Sequence, residues 1–256
     1  MAFTNTFNLG NILIYYLKEL RFILFKKYRQ EEIRREHFYS GFVRAGDLCF
    51  DVGANVGSRT APLLALGAKV VAVEPLDREY FYLKKKFSNK IEIVHKGLGA
   101  MEGQKDFHIS RISVLSSFSE EWINAVKKNR FRNYAWPKVV PKEITTLDRL
   151  IEQYGVPSFV KIDVEGYELE VLKGLSTPVD TISFEYTVPE QPEMVPGCIE
   201  RIQNIMPDFL CNYSLGESME FVLDEWITPE AMKQLALTDA FIQSGFGDVY
   251  VRKPGK

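Results

Sequence analysis

The stretch Asp51-Val52-Gly53-Ala54-Asn55-Val56-Gly57 constrains this chain more than any other. Ahead of it, Asp47-Leu48-Cys49-Phe50 is a short apolar run of the kind that forms a buried parallel strand. Behind it, Ser58 to Leu66 opens on polar residues and is closed by Gly67, the pattern of a short helix. Strand, glycine turn and helix in this order predict that N–H groups at the helix head face whatever fills the turn. Gly53 and Gly57 admit positive φ and carry no Cβ to hold a ligand off. A second strand, Lys69 to Glu74, ends on a carboxylate roughly 20 residues past the turn, where an acid in a dinucleotide-type site meets ribose hydroxyls.

The rest of the chain repeats the alternation. Ile91 to Lys96, Lys138 to Thr145, Phe159 to Ile162, Asp180 to Tyr186, Phe209 to Ser214 and Asp248 to Arg252 read as strands, and Gly103 to Phe118 as β-rich. Between them, Arg78 to Phe87, Glu120 to Arg130, the segment opened by Thr146-Leu147-Asp148, Glu168 to Leu172 and Ile199 to Met206 read as helices. A further helix is capped by Thr228 with Pro229 in its first turn and runs to about Ile242. The pattern predicts an α/β fold, a mostly parallel doubly wound sheet with helices on both faces and a closing hairpin. Val188 to Gly197, with three prolines, reads as an irregular loop over the sheet edge, a candidate lid facing the substrate.

A second centre is Ser158-Phe159-Val160-Lys161-Ile162-Asp163-Val164-Glu165-Gly166-Tyr167-Glu168. Strand alternation puts Lys161 and Asp163 on one side, and a lysine buried in a sheet must find an acid. Asp163 and Glu165 stand at the carboxyl end of the strand, where open α/β sheets hold their ligands. The next strand also ends on a carboxylate, Glu185, which adjacency in the sheet would bring toward Asp163. The plainer alternative is a structural ion pair with helix-capping carboxylates.

Asp-x-Gly-x-Asn-x-Gly is not the Gly-x-Gly-x-x-Gly of a nicotinamide site and resembles the first motif of class I S-adenosylmethionine (SAM) methyltransferases. With Val73-Glu74-Pro75, Thr146-Leu147-Asp148, the Lys-Ile-Asp-Val-Glu-Gly block, Leu172-Lys173-Gly174 and Phe184-Glu185 in that order, the chain resembles the FkbM family of SAM-dependent O-methyltransferases. The resemblance runs from about Phe50 to Tyr186. It implies a Rossmann-like class I methyltransferase fold with seven strands, the last antiparallel, extending to Arg252. It also implies methyl transfer from SAM to a hydroxyl of a saccharide or natural-product small molecule. Under it the cofactor would meet Asp51, Gly53, Ala54, Asn55, Gly57, Glu74 and Pro75, with Gly97 and Leu98 beside the adenine. Asp163, Glu165, Lys161 and Glu185 would carry the chemistry, because an alcohol must lose its proton as the methyl arrives. Mg²⁺ is not favoured on this reading; if it binds, Asp163 and Glu185 are its ligands.

Outside the resemblance lie residues 1–40, read as an N-terminal helical appendage to a 41–256 methyltransferase domain, and the segment from Glu217 to Ser244. The predicted helix Asn11 to Phe38 is too short in its apolar half and too charged to span a bilayer. It packs on the domain or on a homodimer partner, or lies at a membrane surface, which would suit a lipid-linked or cell-surface glycan acceptor, or covers the substrate as a lid. A monomer fits equally well. Met1 to Gly10 lacks a basic n-region and a small-residue cleavage site, which argues against a secretory signal. The three cysteines are scattered, which points to a reducing, cytoplasmic setting without a disulfide framework or zinc knuckle. A formal charge of −2 and the absence of an Asn/Asp-Pro-Pro-aromatic block argue against nucleic acid as the acceptor. A non-catalytic binding protein on the same fold is the remaining alternative. The basic cluster Lys127, Lys128, Arg130 and Arg132 reads as a solvated face, or as a grip on an anionic substrate. His95 reads as a strand residue and not a catalyst.

Overall fold

In a computed structural model that describes residues 26–255 together with Leu17, Glu19 and Leu20, the apolar runs assemble into one seven-stranded sheet. Its members are β1 (Leu48–Val52), β2 (Lys69–Val73), β3 (Glu92–Val94), β7 (Phe159–Ile162), β8 (Thr181–Thr187), β9 (Leu210–Leu215) and β10 (Phe246–Arg252). The spatial order is β3-β2-β1-β7-β8-β10-β9. β10 runs antiparallel to both β8 and β9, and the remaining pairs are parallel. The order reverses between β1 and β7, so both strands deliver their carboxyl ends to one crevice, the switch point where such sheets bind ligands. This is the doubly wound Rossmann-like fold that the sequence predicts.

Period-two alternation decides what each face buries. Phe50, Val52, Val71, Val73, Val160, Ile162, Ile182 and Phe184 point into the larger core. That core is closed by α5 (Leu147–Tyr154), α6 (Glu168–Lys173), α7 (Met194–Gln203) and α8 (Pro229–Ala236). Cys49, Val70, Ala72 and Phe159 face the other way, toward Leu63 of α2 (Thr60–Ala65) and Leu83 and Phe87 of α3 (Asp77–Phe87). Tyr39, at the end of α1 (Lys26–Tyr39), is fully buried in that second core. Burying an aromatic ring of this size contributes on the order of 2–3 kcal/mol. Before Lys26 only Leu17, Glu19 and Leu20 are described, so the first half of the expected N-terminal helix and the leader reading of residues 1–10 lie outside the described residues. No helix among the described residues is long and apolar enough to cross a membrane.

The structure departs from the sequence reading at four places. β4 (Gly97–Leu98), β5 (Gly103–Ile109) and β6 (Lys138–Thr145) leave the main sheet and form a three-stranded sheet of their own. β5 and β6 carry exposed charges over much of their length and could not be buried on both faces. The helix after the glycine turn opens at Thr60 and not at Ser58. The expected loop at Val188 to Gly197 is cut short by α7, which begins at Met194 because Pro196 falls in its first turn, where a missing N–H costs nothing. The helix expected to run to about Ile242 is two short ones, α8 and α9 (Asp239–Ile242), each capped by a threonine hydroxyl. The other helix, α4 (Glu120–Val126), is capped by Ser119.

Candidate functional site

The glycine turn is sewn to the ends of β2 and β7. Gly53 has φ +81, and a Cβ there would lie 1.8 Å from the carbonyl oxygen of Asp163, so only glycine fits. Gly53 and Ala54 both donate their N–H groups to Val73 O at 3.0 Å. Asn55, itself at φ 47, donates its N–H to Glu74 Oε2 at 2.8 Å, and Leu76 N donates to Glu74 Oε1 at 2.7 Å. The N–H groups of Gly53, Ala54 and Asn55 are therefore spent inside the protein. What they produce is an oriented carboxylate: each oxygen of Glu74 accepts one backbone N–H and keeps lone pairs for the pocket that Glu74 lines. Glu74 is 3% exposed, and burial pushes its carboxyl up to about 8 against the pull of those two hydrogen bonds, with Glu79 and Asp51 adding to the rise. Asp51 accepts from the Thr60 hydroxyl at 2.5 Å. Gly57, expected at the cofactor, does not line the pocket; a Cβ there would lie 2.4 Å from the Phe87 ring, so its task is to let α3 pack.

The pocket, about 510 Å³, runs along the carboxyl edge of the sheet. Its lining includes Pro75, Leu76, Gly97 and Leu98, the turn residues Gly53, Ala54 and Asn55 with Glu74, and the acids Asp163, Glu165 and Glu185. That volume suits a ligand of nucleoside size and above.

The three acids converge. One carboxylate oxygen from each of Asp163, Glu165 and Glu185 lies within 4.8 Å of the others. Asp163 and Glu185 meet because β7 and β8 are neighbours, as the sequence implies. Glu165 joins them through an unusual turn, in which Glu165 (φ 56) and Gly166 (φ 83) are both left-handed. The missing Cβ of Gly166 leaves room for Trp122 of α4, whose ring would otherwise be 2.3 Å away. Ser117 Oγ donates to Glu165 O at 2.7 Å, and Val164 N and Gly166 N donate to Glu168 Oε1 at 3.0 and 3.3 Å. Glu168 is thus the acid that closes the turn, its carboxyl raised to about 7 by burial. Burial and the charge of Asp163 hold the Glu165 and Glu185 carboxyls well above the usual range. Glu185 Oε2 has no hydrogen-bond partner among the described residues.

Lys161 is fully buried and lies behind the pocket wall. Its Nζ sits 3.1 Å from Asp163 Oδ2 and 2.9 Å from Asp248 Oδ1. The required acid partner is present, and there are two of them. Asp248 lies on β10 opposite Glu185, and Tyr250 OH donates to it at 3.4 Å. Sequence reasoning missed Asp248, although a lone acid in the apolar run Val249-Tyr250-Val251 is the available signal. The basic cluster divides: Lys128 and Arg132 are exposed, while Arg130 donates to Glu190, Val188 O and Gly245 O. His95 stacks on Tyr80 with ring centroids 4.1 Å apart and lies 3.1 Å from Asp77.

The Methyltransferase FkbM domain matches residues 51–216, a span that includes the turn, Glu74 and the three clustered acids. The hexuronic acid methyltransferase AglP of Haloferax volcanii is 29% identical over 143 residues, 54% of this chain and 54% of AglP. The chain thus spans about half the length of the curated relative it matches. Among solved structures, a TehB-like SAM-dependent methyltransferase from Corynebacterium glutamicum superposes with a TM-score of 0.45 at 9% identity, covering 96% of this chain and 100% of that one. A precorrin-6y C5,15-methyltransferase from Geobacter metallireducens gives 0.43 at 10% identity, covering 86% and 87%.

Proposed function

The chain belongs to the FkbM methyltransferase family, and from that premise we propose that it transfers the methyl group of SAM to a hydroxyl of a saccharide or a related small molecule. The observation that carries the reading is the meeting of Asp163, Glu165 and Glu185 in the pocket that also holds the oriented carboxylate of Glu74. The hexuronic acid named for AglP supports a saccharide as the acceptor class.

Bound SAM supplies a methyl group made electrophilic by its sulfonium. Glu74, with both oxygens fixed by backbone N–H groups, accepts the two ribose hydroxyls. Gly97, Leu98 and Pro75 border the space left for the base. Asp163 pairs with Lys161, and burial together with the charge of Asp163 raises the proton affinity of Glu165 and Glu185. In its ionised form a carboxylate with a raised pKa is the stronger base, and one of these two, once deprotonated, would take the proton of the acceptor hydroxyl as its oxygen attacks. Alignment of oxygen, methyl carbon and sulfur by the pocket walls would supply the remainder.

A second reading keeps the transfer and places a divalent cation on the acids. One oxygen from each of three carboxylates lies within 4.8 Å of the others, a spacing that could hold a cation, and hard oxygen ligands suit Mg²⁺. Such an ion would acidify the acceptor hydroxyl. The test is transfer of labelled methyl from SAM to a panel of glycosides, with Mg²⁺ and with EDTA, by the wild type and by Asp163→Asn. Transfer that the variant loses while still binding S-adenosylhomocysteine (SAH) is the expected result. Normal turnover in Asp163→Asn would overturn the assignment of the acids, and insensitivity to EDTA would remove the metal.

A further inference from the structure

Arg59 lines the same pocket and has no task in the chemistry above. It follows the glycine turn by two residues, and its side chain is 7% exposed. Its Nη2 meets Glu217 Oε2 at 2.6 Å, and its Nη1 lies 4.0 Å from the sulfur of Met219, a weak acceptor. A guanidinium is a fork of five donors shaped for both oxygens of a carboxylate. Among the described residues it meets one carboxylate oxygen and a thioether, so the fork has no bidentate partner there.

Its counter-ion is as unusual as its burial. The Glu217 side chain is 56% exposed and stands just past the end of β9, after Gly216 at φ +48, in a segment without helix or strand that leads toward α8. Glu217 is also shared: Arg35 Nη2 is 3.5 Å from the same oxygen, and Arg34 donates to its backbone carbonyl. Glu217 can therefore leave Arg59 and remain paired with α1. The other cations of the pocket wall are committed, Arg130 to Glu190 and two carbonyls, Lys96 to Glu143 at 2.9 Å.

Resting on the methyltransferase reading, we propose that Arg59 is the carboxylate receptor of this pocket and that Glu217 stands in for the ligand's carboxylate until the ligand arrives. Two molecules bring such a group to the site, the cofactor through its amino-acid end and an acceptor sugar of the uronic type. In either case the fork exchanges a one-oxygen contact for a bidentate pair. The substrate-dependent element is then the 216–226 segment, which must give up its contact as the site fills.

The experiment is a calorimetric titration of the wild type, Arg59→Gln and Glu217→Gln with SAH, with 5′-methylthioadenosine, and, with SAH present, with methyl glucuronide and methyl glucoside. 5′-Methylthioadenosine keeps the nucleoside and lacks the amino-acid carboxylate; methyl glucoside lacks the sugar carboxylate. If the cofactor supplies the group, Arg59→Gln weakens SAH about tenfold to hundredfold and leaves methylthioadenosine unchanged. If the acceptor supplies it, SAH is unchanged and glucuronide binding is lost. Glu217→Gln, whose amide oxygen can still accept from Arg59 and whose fold is checked by thermal unfolding, tightens the same carboxylate ligand severalfold. Equal losses for SAH and methylthioadenosine in Arg59→Gln, wild-type affinity for every probe, or no gain in Glu217→Gln would each overturn the proposal. A wild type that binds neither SAH nor methylthioadenosine would refute the methyltransferase reading itself, and this inference with it.

Discussion

Glu74 allows the cofactor geometry to be tested by pH alone. In the folded, ligand-free protein its carboxyl is pushed up to about 8, against about 4.3 in an unfolded chain. The native state therefore holds a proton that the unfolded state has lost between those values. The sign follows: Glu74 makes the empty protein less stable as pH rises from about 4.3 to 8, by at most about 1.4 kcal/mol per pH unit. A ribose diol donating to the ionised carboxylate reverses this preference. Affinity for a nucleoside ligand should thus rise with pH by at most about tenfold per unit up to pH 8 and level off above it. 5′-Methylthioadenosine is the suitable ligand, because no group on it titrates in that window. Calorimetry between pH 6 and pH 9 on the wild type and on Glu74→Gln measures the effect. The variant should bind weakly with a flat profile. A flat wild-type profile, or the same slope in both proteins, would refute the placement of the ribose on Glu74.

Two further outcomes follow from packing and charge. Lys161→Met leaves Asp163 and Asp248 facing each other without their cation, and should cost about 3–5 kcal/mol in denaturant unfolding, partly restored by adding Asp248→Asn; a loss under about 1 kcal/mol would show that the buried pair matters little. Gly53→Ala must place a Cβ 1.8 Å from Asp163 O at φ +81, so it should abolish SAH binding and lower the melting temperature together; an alanine variant that binds normally would mean that the turn is wrongly drawn.

The fold was legible because its signals are local. Apolar runs of strand length ending in Glu74, Asp163 and Glu185, separated by helical spacings, leave few arrangements other than a doubly wound sheet, and adjacency of β7 and β8 already brings Asp163 and Glu185 together. What sequence could not supply depends on distant packing. Asp248 reaches Lys161 only because β10 inserts antiparallel beside β8. Glu165 enters the cluster through a left-handed turn that is stable because Trp122 fills the space beside Gly166. Gly57 looked like a ligand glycine and is a packing glycine, a distinction set by Phe87, some thirty residues later. Arg59 was silent in the sequence, since nothing in Ser58-Arg59-Thr60 tells that its charge will be buried in the pocket wall.

The most direct test of the account is a calorimetric titration of the wild-type protein with SAH. The account predicts saturable binding of one SAH per chain, lost in Gly53→Ala and kept in Asp163→Asn. No heat of binding at any concentration reached would contradict it, because Glu74, the glycine turn and the acid cluster would then form a pocket that does not hold the methyl donor's product.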